Sequence, residues 1–150
     1  MKAVIQRVKL ARVLIEGKIY SEIGKGLLAL ICAEKGDDER VVEWMAEKLV
    51  NLRIFSDEEG KFNRNVKDIS GEILLVSNFT VCGYLKKGTR PSFHLAEEPE
   101  RAKALIEELA GKIRERGVSV KEGVFGAHME IELINDGPVT LYLEKIFEKT

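Results

Sequence analysis

The first third of the chain alternates apolar and polar side chains as antiparallel strands do. The alternation covers residues 4–10, 13–15 and 19–23, and the polar triplet 16–18 breaks it as a turn. Residues 27–33, which follow Gly26, are apolar without interruption. An unbroken apolar run of this length indicates a central strand that is covered on both faces.

Two later segments carry the 3.6-residue period of amphipathic helices. The first follows a capping signal at residues 36–38 and is predicted to end near residues 51–53. The second is predicted to begin at Pro99 and to stop at Gly117. Their buried stripes are predicted to consist of Val41, Val42, Met45, Leu49 and Leu52, and of Ala102, Leu105, Ile106, Leu109 and Ile113.

The remaining apolar segments favour strands at residues 71–81, 118–120, 128–134 and 139–146, with loops at 56–68 and 82–98. From pattern alone, the last two strands are joined by an ordinary hairpin connection at residues 135–138, because proline cannot donate to a ladder. The sequence predicts a single α+β domain over residues 1–150. It would have mostly antiparallel β-sheet layers, with two helices covering one face.

The charge balance excludes a general attraction to nucleic acid. The 150 residues carry a net charge of -1, so any polyanion must be held by a local patch. Lys86, Lys87 and Arg90 in the long loop are candidates for phosphate contacts, and a solvated charge cluster is the competing interpretation. No apolar run is long enough to cross a membrane. Cys32 and Cys82 are predicted to be reduced thiols in a cytoplasmic protein.

Several classes of catalytic site are weakened by the sequence. His94 and His128 are far apart and lack metal-binding spacing, so neither a metal nor a cofactor is predicted. There is no GxSxG turn, phosphate-binding glycine loop or dinucleotide fingerprint. A hydrolase that uses Cys82 with one of the two histidines has suitable residue types and stays open as an alternative.

Two short segments place polar residues where strands are expected. The first is SNFTV at residues 77–81, which composition alone favours as a frayed strand end or bulge. The second is NDGPVT at residues 135–140, where Gly137 and Pro138 require a turn and a cis bond can occur.

These segments carry a resemblance to a known family. VIQRV near the start, SNFTV, KGTRPSF in the loop and GVFGAHMEIELINDGPVT resemble the D-aminoacyl-tRNA deacylase family, over nearly the whole chain. The family has glutamine in the second position of SNFTV, where this sequence has Asn78. All the other motif positions named below agree with the family.

The resemblance implies an enzyme that removes D-amino acids, and also glycine, from the 3′ end of tRNA. It implies a homodimer with active sites at the subunit interface, where a cis Gly137-Pro138 peptide enters the neighbour's site. This dipeptide would reject L residues by collision with its backbone, while Ser77, Asn78, Phe79 and Thr80 line the pocket. Glycine would be accepted because it has hydrogen in both positions.

The resemblance further implies that the 2′-hydroxyl of the terminal adenosine assists hydrolysis. The N–H groups near Phe79 and Thr80 would suit a developing oxyanion, with Thr80 in a positioning role. Gln6 and Arg7 would brace the Gly-Pro element. Phe125 and Met129 would contact the terminal adenosine; ordinary packing is the alternative for these four residues.

The expected protein is therefore cytoplasmic, needs no cofactor, and has no DNA or membrane partner. Two alternatives to this enzyme remain from the sequence. One is a Cys82-dependent hydrolase of small molecules, and the other is a non-enzymatic tRNA- or protein-binding module.

Overall fold

A computed structural model describes residues 1–147 of the chain. No helix in this part is long and apolar enough to span a membrane. The elements in chain order are β1 (Lys2–Ile15), β2 (Lys18–Ile23), β3 (Gly26–Cys32), α1 (Glu39–Asn51), β4 (Phe55–Ser56), β5 (Phe62–Arg64), β6 (Glu72–Ser77), a 3-10 helix (Phe79–Cys82), α2 (Pro99–Glu115), β7 (Ser119–Glu122) and β8 (Glu130–Glu144).

Six of these strands form one mixed sheet. Its order is β2-β1-β3-β6-β7, and β8 pairs with β1 off this path. The long strand β1 is antiparallel to β2, β3 and β8, whereas β3, β6 and β7 are parallel to one another. The predicted α+β class with mostly antiparallel strands is confirmed. The parallel pairs arise because connections containing α1 and α2 return the chain to the same end of the sheet.

The core lies on both faces of this sheet. Helices α1 and α2 pack on one face, against side chains that include Ile5, Leu27 and Ile73. The other face carries Leu28 and Leu74 and is covered in part by β8. Six of the seven residues of β3 are buried, as the unbroken apolar run predicted. The expectation that both helices cover one face is also confirmed.

Local signals explain where the helices begin and end. The Asp38 side chain accepts a hydrogen bond from the Arg40 N–H and caps α1. Pro99 opens α2, where its missing N–H has no cost, and Gly117 follows the helix with φ +85°. Both predicted helices are confirmed within a few residues of the bounds expected.

The predicted hairpin at residues 135–138 is wrong. A single strand, β8, runs through this segment along the whole length of β1, and the register shifts between Gln6 and Val8 and again before Leu10. Gly137 and Pro138 lie in the resulting bulge, and the peptide bond between them is cis. Proline is tolerated there because the bulge has no ladder bond for its nitrogen to donate. The single strand β8 replaces both predicted strands, and it begins at Glu130 rather than at residue 128.

Two further predictions are corrected. Residues 56–68 are not a plain loop, because they contain most of the small hairpin of β4 and β5. Such short strands are too brief to show an alternating pattern. Strand β6 ends at Ser77 rather than at residue 81, and the chain turns at once into the 3-10 helix. Asparagine favours this turn because its side chain can bond the backbone two residues ahead.

The two cysteines are not reduced thiols. Cys32 and Cys82 form a disulfide that joins the end of β3 to the end of the 3-10 helix. The prediction was wrong because a separation of 50 residues hides their proximity. The parallel pairing of β3 with β6, which ends at Ile31 opposite Ser77, brings the two segments together.

A buried ion pair fixes the segment that follows β3. The Met1 ammonium group donates to the Glu34 carboxylate at 3.1 Å and to the Asp37 carboxylate at 2.9 Å. Asp37 also accepts from the Glu34 N–H at 2.8 Å. Burial raises the pKa of the Asp37 carboxyl group. These bonds hold a segment whose neighbouring residues, Ala33 and Lys35, form part of the pocket wall described next.

Candidate functional site

A pocket of about 910 Å³ opens beside the carboxyl ends of β3 and β6. In parallel sheets this is the edge where loops diverge and ligands bind. Strands β3 and β6, the start of α2, the loop 123–128 and the first half of β8 all contribute to its wall. Much of the lining is apolar, with Leu28, Leu30, Val76, Ile106, Ile131 and Leu133 among its residues.

The polar part of the lining is one continuous segment. Ser77, Asn78, Phe79 and Thr80 all line this pocket, and they are the four residues to which the family resemblance assigned the lining of a substrate pocket. The Asn78 N–H donates to the Ile31 carbonyl at 2.8 Å, which extends the pairing of β3 with β6 by one residue. Its side-chain oxygen then accepts from the Thr80 N–H at 3.2 Å and from the Thr80 hydroxyl. The asparagine that departs from the expected glutamine is therefore the cap of the 3-10 helix.

This cap determines which groups can meet a ligand. The family resemblance implies that the N–H groups near both Phe79 and Thr80 are available to an oxyanion. The Thr80 N–H already donates to the Asn78 side chain, so this expectation is corrected to a single N–H group. The Phe79 N–H has no hydrogen-bond partner within residues 1–147. The Thr80 hydroxyl donates its proton to Asn78, and its lone pairs remain able to accept from a ligand.

Aromatic and thioether side chains frame the pocket. The Phe79 ring is 58% exposed and meets the Phe93 ring edge-on, with 5.0 Å between the centroids. Phe125 lines the pocket and also packs against the core between the sheet and the two helices. Met129 lines the pocket and packs against the core on the other face of the sheet. Packing and ligand contact are thus compatible at both positions.

The Gly-Pro bulge lies outside the pocket of its own chain, and both its residues are exposed. Gly137 has φ +151°, and a Cβ atom there would lie 2.8 Å from the Val139 nitrogen. The Asn135 side chain spans the bulge. Its oxygen accepts from the Val139 N–H at 2.8 Å, and its nitrogen approaches the Gln6 side-chain oxygen at 3.3 Å.

Arg7 joins the bulge to a second element. Its Nε donates to the Asp136 carbonyl at 2.8 Å, and another guanidinium nitrogen donates to the Ile54 carbonyl at 2.8 Å. The Phe62 ring of β5 lies 5.4 Å from the guanidinium carbon. Gln6, the preceding residue of β1, lines the pocket. Two consecutive residues of one strand therefore connect the pocket with the bulge.

Other candidate chemistries find little support. Within residues 1–147 no three His, Cys, Asp or Glu residues come together as a metal site. Cys82 is fully buried in the disulfide and offers no thiolate. His94 lies in the loop and bonds Ser92 at 2.8 Å, while His128 lines the pocket.

Sequence reasoning assigned no pocket role to several lining residues. Lys35, Glu97 and Glu98 line the pocket near the start of α2, and Phe93 and His128 also belong to its wall. Pro99 was the available signal, because a helix that starts directly after a long loop brings the loop's end to the edge of the sheet.

A family model and the relatives with similar sequences point to one family. The model of the family described as D-Tyr-tRNA(Tyr) deacylase matches residues 4–144. The D-aminoacyl-tRNA deacylase of Carboxydothermus hydrogenoformans is 56% identical over 144 residues, covering 96% of this chain and 99% of the relative. That of Geobacter sp. (strain M21) is 54% identical, covering 96% of this chain and 97% of the relative.

Two solved structures share the fold. One is titled c-Myc DNA Unwinding Element Binding Protein; it is 41% identical, has a TM-score of 0.92, and the match covers 98% of this chain and 100% of that one. The other is titled a probable eukaryotic D-amino acid tRNA deacylase; it is 17% identical, has a TM-score of 0.80, and the match covers 95% of this chain and 97% of that one. At 17% identity the second match shows the fold alone.

Proposed function

Because the chain belongs to the D-Tyr-tRNA(Tyr) deacylase family, we propose that it hydrolyses the ester of D-aminoacyl-tRNA and releases free tRNA and the D-amino acid. It is a D-aminoacyl-tRNA deacylase, as its relatives of about half identity over nearly the whole chain are named. The observation that carries the proposal at the site is the pocket beside the ends of β3 and β6, lined by residues 77–80. The 3′ end of the tRNA is its proposed occupant.

Chirality is proposed to be sorted by the main chain at Gly137 and Pro138. D and L enantiomers differ only by exchange of hydrogen and side chain at one carbon. A rigid backbone wall close to that carbon rejects one enantiomer by collision, whatever its side chain. The bonds from Arg7 to Asp136 and from Val139 to Asn135 support such a wall, because they hold the backbone on both sides of the dipeptide.

The same filter makes glycine a substrate. Glycine has hydrogen in both positions, so a steric wall has nothing to reject. The proposed enzyme therefore also hydrolyses glycyl-tRNA, and it discriminates by handedness rather than by side-chain type.

The wall is proposed to act between the subunits of a homodimer. Gly137 and Pro138 are exposed and do not line their own pocket. They belong to β8, which pairs with β1 along one edge and exposes the apolar side chains of Ile134 and Tyr142 by more than half. A second copy that covers this strand would receive the dipeptide in its pocket.

The tRNA itself is proposed to assist bond cleavage. The 2′-hydroxyl of the terminal adenosine activates the attacking water, and the Phe79 N–H stabilises the oxyanion that develops on the ester carbonyl. The bond to the 3′-oxygen then breaks, and this oxygen leaves with a proton. Thr80 is assigned to positioning, because its hydroxyl bonds the Asn78 amide, which is not a base.

We propose that the enzyme works in the cytoplasm, where aminoacyl-tRNA is made, and that it needs neither a metal nor a cofactor. Membranes and DNA are not among its proposed partners. The direct test is to incubate the purified protein with D-tyrosyl-tRNA. Hydrolysis well above the spontaneous rate is expected, and an ester left intact would favour the non-enzymatic binding module.

Replacing Thr80 with alanine is expected to slow deacylation by less than about tenfold. The Asn78 side chain can still accept from the backbone N–H of residue 80, so the cap persists without the hydroxyl. Single-turnover rates with D-tyrosyl-tRNA measure the effect, and Thr80→Ser should restore the wild-type rate. Complete loss in Thr80→Ala would return a protein nucleophile to consideration.

Replacing Cys82 with alanine is expected to leave the rate per folded molecule nearly unchanged. It removes the disulfide, whose chain-entropy contribution is about 4 kcal/mol, so the free energy of unfolding should fall. The matched control is Cys32→Ala, which breaks the same bond. If Cys82→Ala abolished hydrolysis while Cys32→Ala retained it, a hydrolase that uses the Cys82 thiol would replace the proposed mechanism assisted by the tRNA 2′-hydroxyl.

A further inference from the structure

The pocket is flanked by a positively charged hairpin, referred to here as the basic hairpin, residues 84–92. Its stem is closed by two backbone hydrogen bonds between Tyr84 and Ser92, of 2.7 and 3.0 Å. Its tip carries Lys86, Lys87 and Arg90, all of them exposed. No ion pair within residues 1–147 involves these three side chains.

The hairpin is also isolated from negative charge along the chain. No aspartate or glutamate occurs between Ile73 and Ala96. The chain as a whole carries a net charge of -1, so this local excess of positive charge is not a property of the whole surface. Cations that no carboxylate neutralises are available to bind an anion.

Both ends of the hairpin are anchored at the pocket. On one side Cys82 is tied to Cys32 by the disulfide, directly before the stem. On the other side Phe93 lines the pocket and packs edge-on against Phe79. Two residues further on, the Leu95 carbonyl accepts a hydrogen bond from the Lys35 N–H at 2.9 Å. The base of the hairpin is therefore fixed to the site on both sides, and the charged tip extends from this base.

We propose that the basic hairpin binds backbone phosphates of the single-stranded 3′ end of tRNA, next to the nucleotide that enters the pocket. This inference rests on the proposed function, since it assumes that the pocket receives a tRNA terminus. Each phosphate that a lysine or arginine neutralises on a single strand releases condensed counterions. Affinity for tRNA then falls with salt, with a logarithmic slope of about 0.7 per contact.

The test compares the salt dependence of tRNA binding in the wild type and three matched variants. The first variant is Lys86→Ala/Lys87→Ala/Arg90→Ala, which removes the positive charge. The second, Lys86→Arg/Lys87→Arg/Arg90→Lys, keeps it. The third, Lys18→Ala/Lys25→Ala/Lys67→Ala, removes the same charge from exposed positions outside the pocket.

Removal of the hairpin charges is expected to make the slope shallower by about 2, the sum for three contacts. Between 50 and 200 mM salt the wild type would then lose about 16-fold more affinity than the neutral variant. The conservative and remote variants should keep the wild-type slope. An unchanged slope in the neutral variant, or an equal change in the remote variant, would overturn the proposal.

Binding is measured with deacylated tRNA, so the result does not depend on hydrolysis. A wild type that binds tRNA through the hairpin but leaves D-tyrosyl-tRNA intact would refute the proposed function and keep this inference. If the wild type hydrolyses the ester but the salt dependence of its tRNA binding is unaffected by removal of the hairpin charges, the proposed function is supported and this inference is refuted. Thermal unfolding of each variant checks that the changes act on binding.

Discussion

Replacement of Gly137 by alanine is expected to lower deacylation of D-tyrosyl-tRNA by about a hundredfold, the effect of displacing a positioning element by about 1 Å. A Cβ atom at this position would lie 2.7 Å from a Val139 methyl carbon and 2.8 Å from the Val139 nitrogen. The backbone has φ +151° there, a conformation that L side chains rarely adopt. The bulge must therefore shift, and the proposed wall shifts with it.

The matched control is Gly24→Ala, because a Cβ atom at Gly24 meets no other heavy atom within 4 Å. Both variants should be compared with the wild type by circular dichroism and single-turnover kinetics, with D- and L-tyrosyl-tRNA. We expect Gly24→Ala to behave as wild type. If Gly137→Ala kept both the rate and the preference for D-tyrosyl-tRNA, the selector would have to lie elsewhere.

Removal of the 2′-hydroxyl from the terminal adenosine of D-tyrosyl-tRNA is expected to reduce enzymatic hydrolysis by at least about a hundredfold, the lower range for loss of a general acid-base group. Neither the Phe79 N–H nor the Thr80 hydroxyl, the groups proposed to face the ester, is a base that could activate water. In the proposed mechanism the 2′-hydroxyl supplies this step, rather than His128, Glu97 or Glu98 elsewhere in the pocket wall. Binding should persist, because the phosphates and the D-tyrosyl group are unchanged.

The measurement compares the enzymatic rates on the 2′-hydroxyl and 2′-deoxy substrates, each divided by its own spontaneous rate of hydrolysis. This correction matters because the deoxy ester is also intrinsically less reactive. Competition between the two tRNAs gives their relative affinities. Equal corrected rates would contradict the substrate-assisted step and would require a base from the protein.

The regular elements of the fold could be predicted because each left a periodic pattern. The stripes of α1 and α2, the capping Asp38 and the final Gly117 appear within short windows of sequence. The buried strand β3 was equally visible, since both its faces are covered and its residues are apolar throughout. Such signals depend on neighbours in sequence, which a single chain displays.

The irregular parts of the site depend on neighbours in space, and they escaped prediction for that reason. The bulge at Gly137 is defined by the register of β8 against β1, which no local pattern encodes. The disulfide between Cys32 and Cys82 follows from the parallel pairing of β3 with β6. The cap formed by Asn78 was missed because an asparagine after an apolar strand is equally compatible with a frayed end.

The resemblance to a family pointed to candidate site residues where pattern alone could not. Of the ten residues it suggested, seven line the pocket, while Arg7, Gly137 and Pro138 lie outside it in the same chain. That division is what a dipeptide donated to a second subunit would produce. It leaves the assembled site as a proposal about two copies of the chain.

The central claim is that a fixed stretch of main chain separates the two enantiomers by shape. One comparison tests it most directly: D- and L-tyrosyl-tRNA are incubated with the same enzyme preparation, and each rate is corrected for spontaneous hydrolysis. We expect rapid release of D-tyrosine and an L-tyrosyl ester that decays no faster than without enzyme. Comparable enzymatic rates for the two esters would contradict the account.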